Sequence, residues 1–381
     1  MNNGRYKENG MSELDVPEVE ADGLDIPDTE PYAPVSERKV LIQQYDYAVR
    51  TLVDMVLEGD LVLNPDYQRL YRWEPEKASR FVESILLNIP VPVVYFSEEA
   101  DGTFSVIDGQ QRLTSLLNFI KPESGEELTL TGLKLRPEIN GKKFGDLDRT
   151  DRSAITKRPI RCIVVLNESD KALKFEVFER LNTGSSSLTE QEVRNSIYHG
   201  NFNDLIKELA SNDRFLEMIA LPEQHKRNMK AEELVLRFFA YRDLHEGVDY
   251  PGNYTEFLNN HMEQNRSLPA TKLVELRELF LTTIEIIYKE LGPGVAFRRP
   301  LTRGQDDRFA HTLINGAIYE SQMVVFSKLI EQGHVATISR AKAITAFSED
   351  KYWNTLFQGT AKKATAIRRT EALYRHMLSE G

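Results

Sequence analysis

Cysteine is almost absent from this sequence, because Cys162 is the only one among 381 residues. A single cysteine cannot form a disulfide within the chain, and it cannot build the cysteine cluster of a zinc site. Cys162 lies in the apolar run formed by residues 160–166. We therefore expect a buried structural thiol rather than a catalytic one.

Long apolar runs and an excess of basic residues are also missing. No run approaches the roughly 20 apolar residues of a membrane-spanning helix, and the first residues are acidic and polar, unlike a secretory signal. We therefore expect a cytoplasmic protein without a membrane partner. The 48 Lys and Arg against 59 Asp and Glu give a net charge of −11, which argues against a broad basic surface for DNA but permits one local basic face.

Familiar catalytic motifs are missing as well. The sequence contains no Gly-x-x-x-x-Gly-Lys-[Ser/Thr] loop and no Ser-His-Asp arrangement with supporting context. Its seven histidines are scattered, and none falls in a metal-ligand pairing.

Residues 1–38 differ in composition from the rest. They are rich in Asp and Glu, lack apolar periodicity and contain Pro17, Pro27, Pro31 and Pro34, which predicts a disordered acidic tail. Such a tail could be an inert leader or could dock on a basic partner. We predict two folded domains after it, at residues 39–200 and 201–381.

Several elements of the first folded domain follow from apolar patterning. Short strands are predicted at residues 39–45 and 160–166, a strand pair at 93–96 and 103–107, and a hairpin at 128–135. Helices are predicted from Val49 to Gly59, from Pro75 through Ile85, and with Leu173, Val177 and Leu181 on one face. Thr189 and Glu192 have the spacing of a capping box at the next helix.

The second domain is predicted to be entirely helical. Amphipathic patterns favour helices at residues 202–209, 231–244, 254–262, 271–291, 309–332, 337–348 and 362–378. Basic residues gather at Arg298, Arg299, Arg303 and Arg308, and again at Lys362, Lys363, Arg368, Arg369 and Arg375. Solvated helix faces and a nucleic-acid surface both explain such runs.

One polar turn stands between two apolar elements in the first domain. Val106 and Ile107 end a predicted strand, and a helical pattern begins after Gly109 with apolar residues at positions 113, 116, 117 and 120. A strand, a glycine turn and a helix N-terminus together direct free backbone N–H groups towards any ligand above the turn. The polar residues of this turn are Asp108, Gln110, Gln111 and Arg112.

The residue types in this turn permit two interpretations. A carboxylate can hold a metal ion, amides can orient water, and an arginine can bind phosphate through two parallel hydrogen bonds. Alternatively, Asp108 only caps the helix and Arg112 only solvates it. On the first interpretation we expect Arg112 to face a ligand, so that Arg112→Ala leaves the stability of the fold nearly unchanged.

Three motifs in order resemble one family. The residues 108–112, Asp-Gly-Gln-Gln-Arg, resemble the DGQQR motif of the DUF262 family, the N-terminal domain of GmrSD-type restriction systems. Residues 64–73 resemble the family's P-x-Y-Q-R-x-Y-x-W segment, and residues 178–184 followed by Leu188 resemble its F-E-x-[IL]-N-T-x-G segment. The resemblance covers residues 40–200 closely.

The resemblance implies an α/β fold of the ParB/sulfiredoxin type, followed here by an all-α domain, and a nucleoside-triphosphate-binding, hydrolysing role in anti-phage defence. Asp108 would hold Mg²⁺ or orient the attacking water, Gln110 and Gln111 would position water or phosphate oxygens, and Arg112 and Arg69 would balance phosphoryl charge. The implied nucleotide-binding residues are Tyr67, Gln68, Arg69, Arg72, Trp73, Gly109, Asn182 and Thr183.

Two other functions stay open. The turn could be a reader without turnover that recognises DNA or a partner defence subunit. It could also cleave phosphodiesters directly, but the sequence offers few metal ligands for that chemistry. Restriction enzymes of the family carry an additional HNH nuclease domain, whose histidine pattern is not found here. We therefore expect no nuclease activity.

Overall fold

The computed structural model describes most of the chain from Lys39 onwards. The described residues are 39–63, 73–99, 101–122, 127–169, 171–181, 189–222, 225, 229–303, 308–309, 314–358 and 363–379. The predicted acidic tail, residues 1–38, lies outside them.

A mixed five-stranded sheet forms the centre of the N-terminal region. Its strands are β1 (Ile42–Ala48), β2 (Leu61–Val62), β3 (Val94–Glu98), β4 (Phe104–Asp108) and β5 (Pro159–Val165). The strand order is β1-β5-β3-β4-β2. The outer pairs β1–β5 and β2–β4 are antiparallel and parallel, respectively, while β3 lies antiparallel to β4 and parallel to β5.

The β3–β4 hairpin confirms the predicted strand pair and delivers the polar turn to the end of a strand. Asp101 accepts hydrogen bonds from the backbone N and the Oγ1 of Thr103, at 3.0 and 2.7 Å, and Gly102 adopts a positive φ of 84°. These contacts close the connection, because an aspartate can bond to the backbone two residues on. β4 then runs to Asp108, its last residue.

Three helices cover this part of the sheet and build its core. They are α1 (Val49–Glu58), α2 (Pro75–Leu86) and α3 (Gln110–Ile120). Pro75 occupies the first turn of α2, where its missing N–H costs nothing, and Gly59 ends α1 in the left-handed conformation, with φ 83°. Their apolar faces bury Leu52, Val82 and Leu116 against the sheet, as the patterns predicted.

Two local predictions in this domain are wrong. Residues 128–135 form no hairpin: Leu130 exchanges backbone hydrogen bonds with Gly141 and Lys142 instead, and the Asn140 side chain bonds the backbone of Leu133. β1 begins and ends three residues later than expected. Both predictions were based on apolar content alone. The observed structure instead depends on which backbone groups pair with more distant segments of the chain.

The chain then becomes helical, which confirms the predicted order of an α/β region followed by a helix-rich region. The helices are α4 (Arg149–Lys157), α5 (Lys171–Leu181), α6 (Glu190–Ile197), α7 (Asn201–Ala210), α8 (Asp213–Ile219), α9 (Lys230–His245), α10 (Tyr254–Gln264), α11 (Ala270–Glu290), α12 (Gly316–Glu331), α13 (Arg340–Thr345), α14 (Asp350–Trp353) and α15 (Lys363–Leu378). Within the described residues, none of the helices is both long and apolar enough to cross a membrane.

Some details of the helices confirm the predictions made from the sequence, and others correct them. Thr189 and Glu192 form the predicted capping box of α6. α12 begins at Gly316, not near Phe309, because the Asn315 side chain caps its first turn. In α5 the deeply buried side chains are Phe175 and Phe178 rather than Leu173 and Val177.

The described residues divide into two compact units. One contains residues 39–217 and 221–286, and the other contains residues 218–220 and 287–379. The helices α6, α7, α9 and α10 therefore belong to the same unit as the sheet, whereas α8 is divided after residue 217. The predicted domain boundary near residue 200 stays a prediction.

Candidate functional site

The turn from Asp108 to Arg112 joins β4 directly to α3. Asp108 is the last residue of the strand, Gly109 is the N-cap in the left-handed region with φ 106°, and Gln110 begins the helix. The first helical hydrogen bond runs from Leu113 N to Gly109 O at 2.9 Å. The remaining N–H groups of the first turn and the positive end of the helix dipole lie next to Asp108.

Glycine is required at position 109 for two reasons. A positive φ of 106° is a conformation that side chains with a Cβ rarely adopt. A Cβ added here would also lie 2.6 Å from Val94 Cγ1, at the start of the neighbouring strand. The turn is therefore packed tightly against β3.

Arg112 is buried, which its position in a polar turn did not indicate. Only 8% of the residue is exposed. Its Nη2 donates to Asp108 Oδ2 at 2.7 Å, and its Nη1 donates to the carbonyl oxygens of Pro92 and of Val93, the latter at 3.2 Å. The guanidinium therefore joins the end of β4 to the segment that leads into β3.

Asp108 combines a fixed position with access to solvent. Its side chain is 39% exposed, and the ion pair with Arg112 spans one helical turn, from residue i to i+4. A charge-assisted hydrogen bond to a buried guanidinium restricts the carboxylate to one orientation. Asp108 is thus an oriented and accessible acidic group at a helix N-terminus.

Gln111 connects the turn to the segment before α2. Its Oε1 accepts a hydrogen bond from the backbone N of Trp73 at 3.3 Å. The Trp73 ring packs edge to face on Phe81, with 5.8 Å between centroids, and Lys77 Nζ lies 4.8 Å from the indole centroid. The structure thus brings Trp73 and the turn together, with one indole face covered by a lysine.

The remaining predicted nucleotide-binding residues lie outside the part of the chain that the structure describes. They are Tyr67, Gln68, Arg69, Arg72, Asn182 and Thr183. Whether they meet Asp108 in one pocket stays a prediction.

Metal binding at this turn would rest on Asp108 alone. Within the described part of the chain, no three His, Cys, Asp or Glu side chains are grouped to hold a metal ion. Mg²⁺ is commonly held by one or two carboxylates, with phosphate oxygens and water completing its shell. A single accessible carboxylate fits a nucleotide-bound Mg²⁺ better than a metal held by the protein alone.

Cys162 is the buried structural thiol that the sequence predicted. It lies in β5, opposite Val94 of β3, and its side chain is inaccessible to solvent. Burial raises the pKa of this thiol to about 12. Because the thiolate is the reactive form, Cys162 is inert near neutral pH.

Part of the predicted basic set in the second unit belongs to the interior. Arg298 is buried and donates to the carbonyl oxygens of Met218 and Ala296. Arg369 is also buried, and it donates to Thr355 O and pairs with Glu320. These two arginines therefore serve neither as solvated helix faces nor as a nucleic-acid surface.

Sequence reasoning missed the backbone part of the site. The carbonyl oxygens of Pro92 and Val93 hold Arg112, but the predicted helix ended at Ile85, the next predicted strand began at residue 93, and no role was predicted for the segment between them. Pro90 and Pro92 were the available indication, since proline cannot donate to a strand ladder and therefore marks a segment outside regular pairing.

Comparison with known families supports the resemblance seen in the three motifs. Residues 49–199 match the family model described as GmrSD restriction endonuclease, N-terminal domain. All three motif segments fall inside this match. The searches of curated proteins and of solved structures found no match. The domain formed by residues 49–199 is therefore a GmrSD-type N-terminal domain of the DUF262 family.

Proposed function

We propose that this protein is a component of a restriction-like defence system, and that its Asp108–Arg112 turn binds and hydrolyses a nucleoside triphosphate. The family match supports the defence role, because the matching domain is named for a restriction endonuclease. The observation that carries the nucleotide proposal is the Asp108 carboxylate, held by a buried arginine and exposed at the N-terminus of α3.

The turn offers complementary groups to a triphosphate. Backbone N–H groups and the helix dipole at the start of α3 favour phosphate oxygens. Asp108 would be a ligand of Mg²⁺ carried by the nucleotide, and the metal would supply charge neutralisation for the phosphates. Gln110 and Gln111 lie in the same first turn, where their amides can orient a water molecule or a phosphate oxygen.

Arg112 has a positioning role in this proposal. A direct contact between its guanidinium and a phosphate would break the hydrogen bonds to Asp108, Pro92 and Val93. Breaking hydrogen bonds to the charged and buried guanidinium is costly. The geometry therefore favours Arg112 as the group that keeps Asp108 oriented.

The test compares two aspartates that both lie beside the start of a helix. Asp108→Asn should lower Mg²⁺-dependent phosphate release from nucleoside triphosphates by at least about 100-fold, because the metal ion supplies several kcal/mol of transition-state stabilisation and the neutral amide is a weaker ligand. Asp213→Asn, at an exposed position in the first turn of α8, should retain the activity. Thermal melting of both variants should show that each is folded at the assay temperature.

Three outcomes separate the alternatives. Phosphate release that survives Asp108→Asn contradicts the assignment of the turn. Nucleotide binding without release supports a reader that lacks turnover. Failure of every nucleoside triphosphate to bind in the presence of Mg²⁺ rejects the nucleotide proposal as a whole.

A further inference from the structure

The strand β1 forms one edge of the five-stranded sheet, and its outer side has no strand partner among the described residues. It is paired there with β5, antiparallel, from Ile42 opposite Val165 to Ala48 opposite Pro159. The other edge of the sheet is the two-residue strand β2, whereas β1 extends over seven residues. An edge of this length presents a row of backbone N–H and C=O groups with which another strand can pair.

The hydrogen bonds at the two ends of the β1–β5 ladder show which backbone groups point outwards. Leu166 N donates to Leu41 O, and Val49 N donates to Arg158 O, each at 2.9 Å. In an antiparallel pair, residues bonded to the neighbouring strand alternate with residues whose groups point away from it. The odd-numbered residues of β1 therefore bond to β5, and the even-numbered residues present their N–H and C=O groups at the free edge. These residues are Ile42, Gln44, Asp46 and Ala48.

Both faces of β1 are exposed along most of its length. Its first five residues are all exposed, and successive side chains of a strand point to opposite faces. Ile42 is 52% exposed and Tyr45 is 37% exposed, and Leu41, directly before the strand, is 42% exposed. Three large apolar side chains therefore lie in solvent beside the free edge, and grouped exposed apolar residues are typical of interaction sites.

Several features that commonly protect an edge strand are missing from β1. Neither lysine nor proline occurs between Ile42 and Ala48, and the register with β5 is continuous, without a bulge. The charge of Asp46 is balanced by Arg161 of β5, whose Nε and Nη2 donate to the two carboxylate oxygens at 3.0 and 2.9 Å. The edge is therefore long, regular and free of unbalanced charge.

The sequence of β1 is complementary to itself when a second copy runs antiparallel to it. With Tyr45 opposite Tyr45 of the second copy, even-numbered residues meet even-numbered residues, as their outward backbone groups require. Gln44 then faces Asp46 of the second copy, and Ile42 faces Ala48. An amide beside a carboxylate, an aromatic pair and an apolar pair are favourable cross-strand neighbours, and no like charges meet in this register.

The acidic segment before β1 is a poorer strand for this edge. Pro27, Pro31 and Pro34 interrupt it, and a proline cannot donate to a ladder. The nearest stretch of at least seven residues without proline is 18–26, which contains four acidic residues and no basic one. Asp and Glu are disfavoured in strands. A second copy of β1 therefore fits the edge better than this segment does.

We propose that two copies of this chain associate through β1, so that their sheets join across a two-fold axis at Tyr45. The contact is isologous, because each copy supplies the same edge. Backbone hydrogen bonds between the two edges provide the attraction, as in other cases of strand addition. The inference uses only β1 and its neighbour β5, and it does not depend on the proposed function of the Asp108–Arg112 turn.

The first experiment measures the mass of the full chain by sedimentation at concentrations up to about 100 µM, because a small interface associates weakly. Wild type should convert from monomer to dimer. Gln44→Pro should raise the dissociation constant at least about tenfold, because each copy loses one outward N–H. The substitution removes no hydrogen bond to β5, so β1 itself stays paired. The matched control Gln44→Ala keeps the N–H and should dimerise as wild type does.

The second experiment tests the register and does not depend on a proline. Tyr45→Lys places two like charges opposite each other in a dimer, and Tyr45→Glu does the same, so each variant alone should be monomeric. Because Tyr45 is exposed, both variants should fold. An equimolar mixture of the two should form a dimer again, since lysine then faces glutamate.

Three results would overturn the proposal. One is a wild-type monomer at every concentration, and another is a dimer that persists in both Gln44→Pro and Tyr45→Lys, which would place the interface elsewhere. The third is a mixture of the Tyr45 variants that stays monomeric, which would exclude the register centred on Tyr45. In a monomer, slow hydrogen exchange at Gln44 and Asp46 would assign the edge to another segment of this chain, and fast exchange would leave it open to a strand of a different protein.

Discussion

Gly109 illustrates how a single residue positions the candidate site. It turns the chain from β4 into α3 with a positive φ and lies against Val94. Any side chain at this position would have to accept an unfavourable backbone conformation and push β3 away. The position of Asp108 relative to the start of the helix depends on this close contact.

Gly109→Ala should therefore destabilise the fold by about 2–4 kcal/mol, through backbone strain and overpacking together. Gly141→Ala is the matched control, because Gly141 also has a positive φ, 79°, but no atom lies within 4 Å of its added Cβ. The control should lose only the backbone contribution, about 1 kcal/mol. Urea unfolding of both variants measures the difference, and equal losses would contradict tight packing at position 109.

Arg112 illustrates how burial changes the expected role of a residue. From the sequence, an arginine at a helix start was expected to face a ligand and to contribute little to stability. In the structure it is buried and holds Asp108 and two backbone carbonyl groups. Its removal leaves these acceptors without their donor.

Arg112→Ala should therefore lower the free energy of unfolding by roughly 1.5–3 kcal/mol, the range for hydrogen bonds to a charged group. Arg180→Ala removes an exposed arginine that also pairs with an acid four residues earlier, Glu176, and should cost roughly 0.3–0.5 kcal/mol. Thermal and urea unfolding compare the two. Equal stability of the Arg112 variant and wild type would restore the ligand-facing interpretation.

At the scale of elements, one ion pair links the β3–β4 hairpin to the end of α10. Arg266 Nη2 donates to Glu99 Oε2 at 2.6 Å, and Ser105 donates to the other oxygen of Glu99 at 2.7 Å. Arg266 also donates to the carbonyl oxygen of His199. These contacts join the hairpin to the segment after α10, within the unit that contains the sheet.

Removing this link should be costly because Glu99 is buried. Arg266→Ala should destabilise the protein by roughly 1.5–3 kcal/mol, the range for hydrogen bonds to a charged group, because the Arg266 side chain is partly exposed. Arg277→Ala breaks an exposed pair with Glu208 and should cost less than about 1 kcal/mol. Chemical unfolding gives both values. Similar losses would show that the hairpin and α10 do not depend on this contact.

At the scale of the whole molecule, the partly buried Asp243 and the buried His261 have opposite effects on the pH dependence of stability. Burial raises the pKa of Asp243 from 3.8 to about 6, with a contribution from Glu246, while Arg242 and Lys272 oppose the shift. Burial lowers the pKa of His261 from 6.5 to about 4. Between pH 4 and 6 the folded chain thus protonates Asp243, whereas the unfolded chain protonates His261, and their proton counts are equal.

Replacing one group of this pair should reveal how the other group makes the free energy of unfolding depend on pH. In Asp243→Asn only His261 remains, the unfolded chain binds the extra proton, and stability should fall as pH drops from 6.5 to 4. In His261→Phe only Asp243 remains, and stability should be lost as pH rises from 3.8 to 6. Urea unfolding at about pH 4.5 and about pH 7, each compared with wild type, tests these opposite signs. If the free energy of unfolding changed with pH in the same direction in both variants, the opposite effects predicted for Asp243 and His261 would be contradicted.

The sequence by itself determined the local elements around the site. Apolar periodicity located α1, α2, α3 and the β3–β4 hairpin, and Gly109 marked the turn between strand and helix. These features depend on residues within one or two turns of each other, so their patterns can be read directly. The three motifs likewise identified the domain that the family model matches.

Only the tertiary structure decided which groups are buried and what they contact. Arg112 meets Pro92 and Val93, about twenty residues away, and Glu99 meets Arg266, 167 residues away. The false hairpin at residues 128–135 has the same origin, since Leu130 pairs with a later segment of the loop. Such contacts depend on the order of strands in the sheet and on the packing of helices against it, and no local pattern of residues encodes that order.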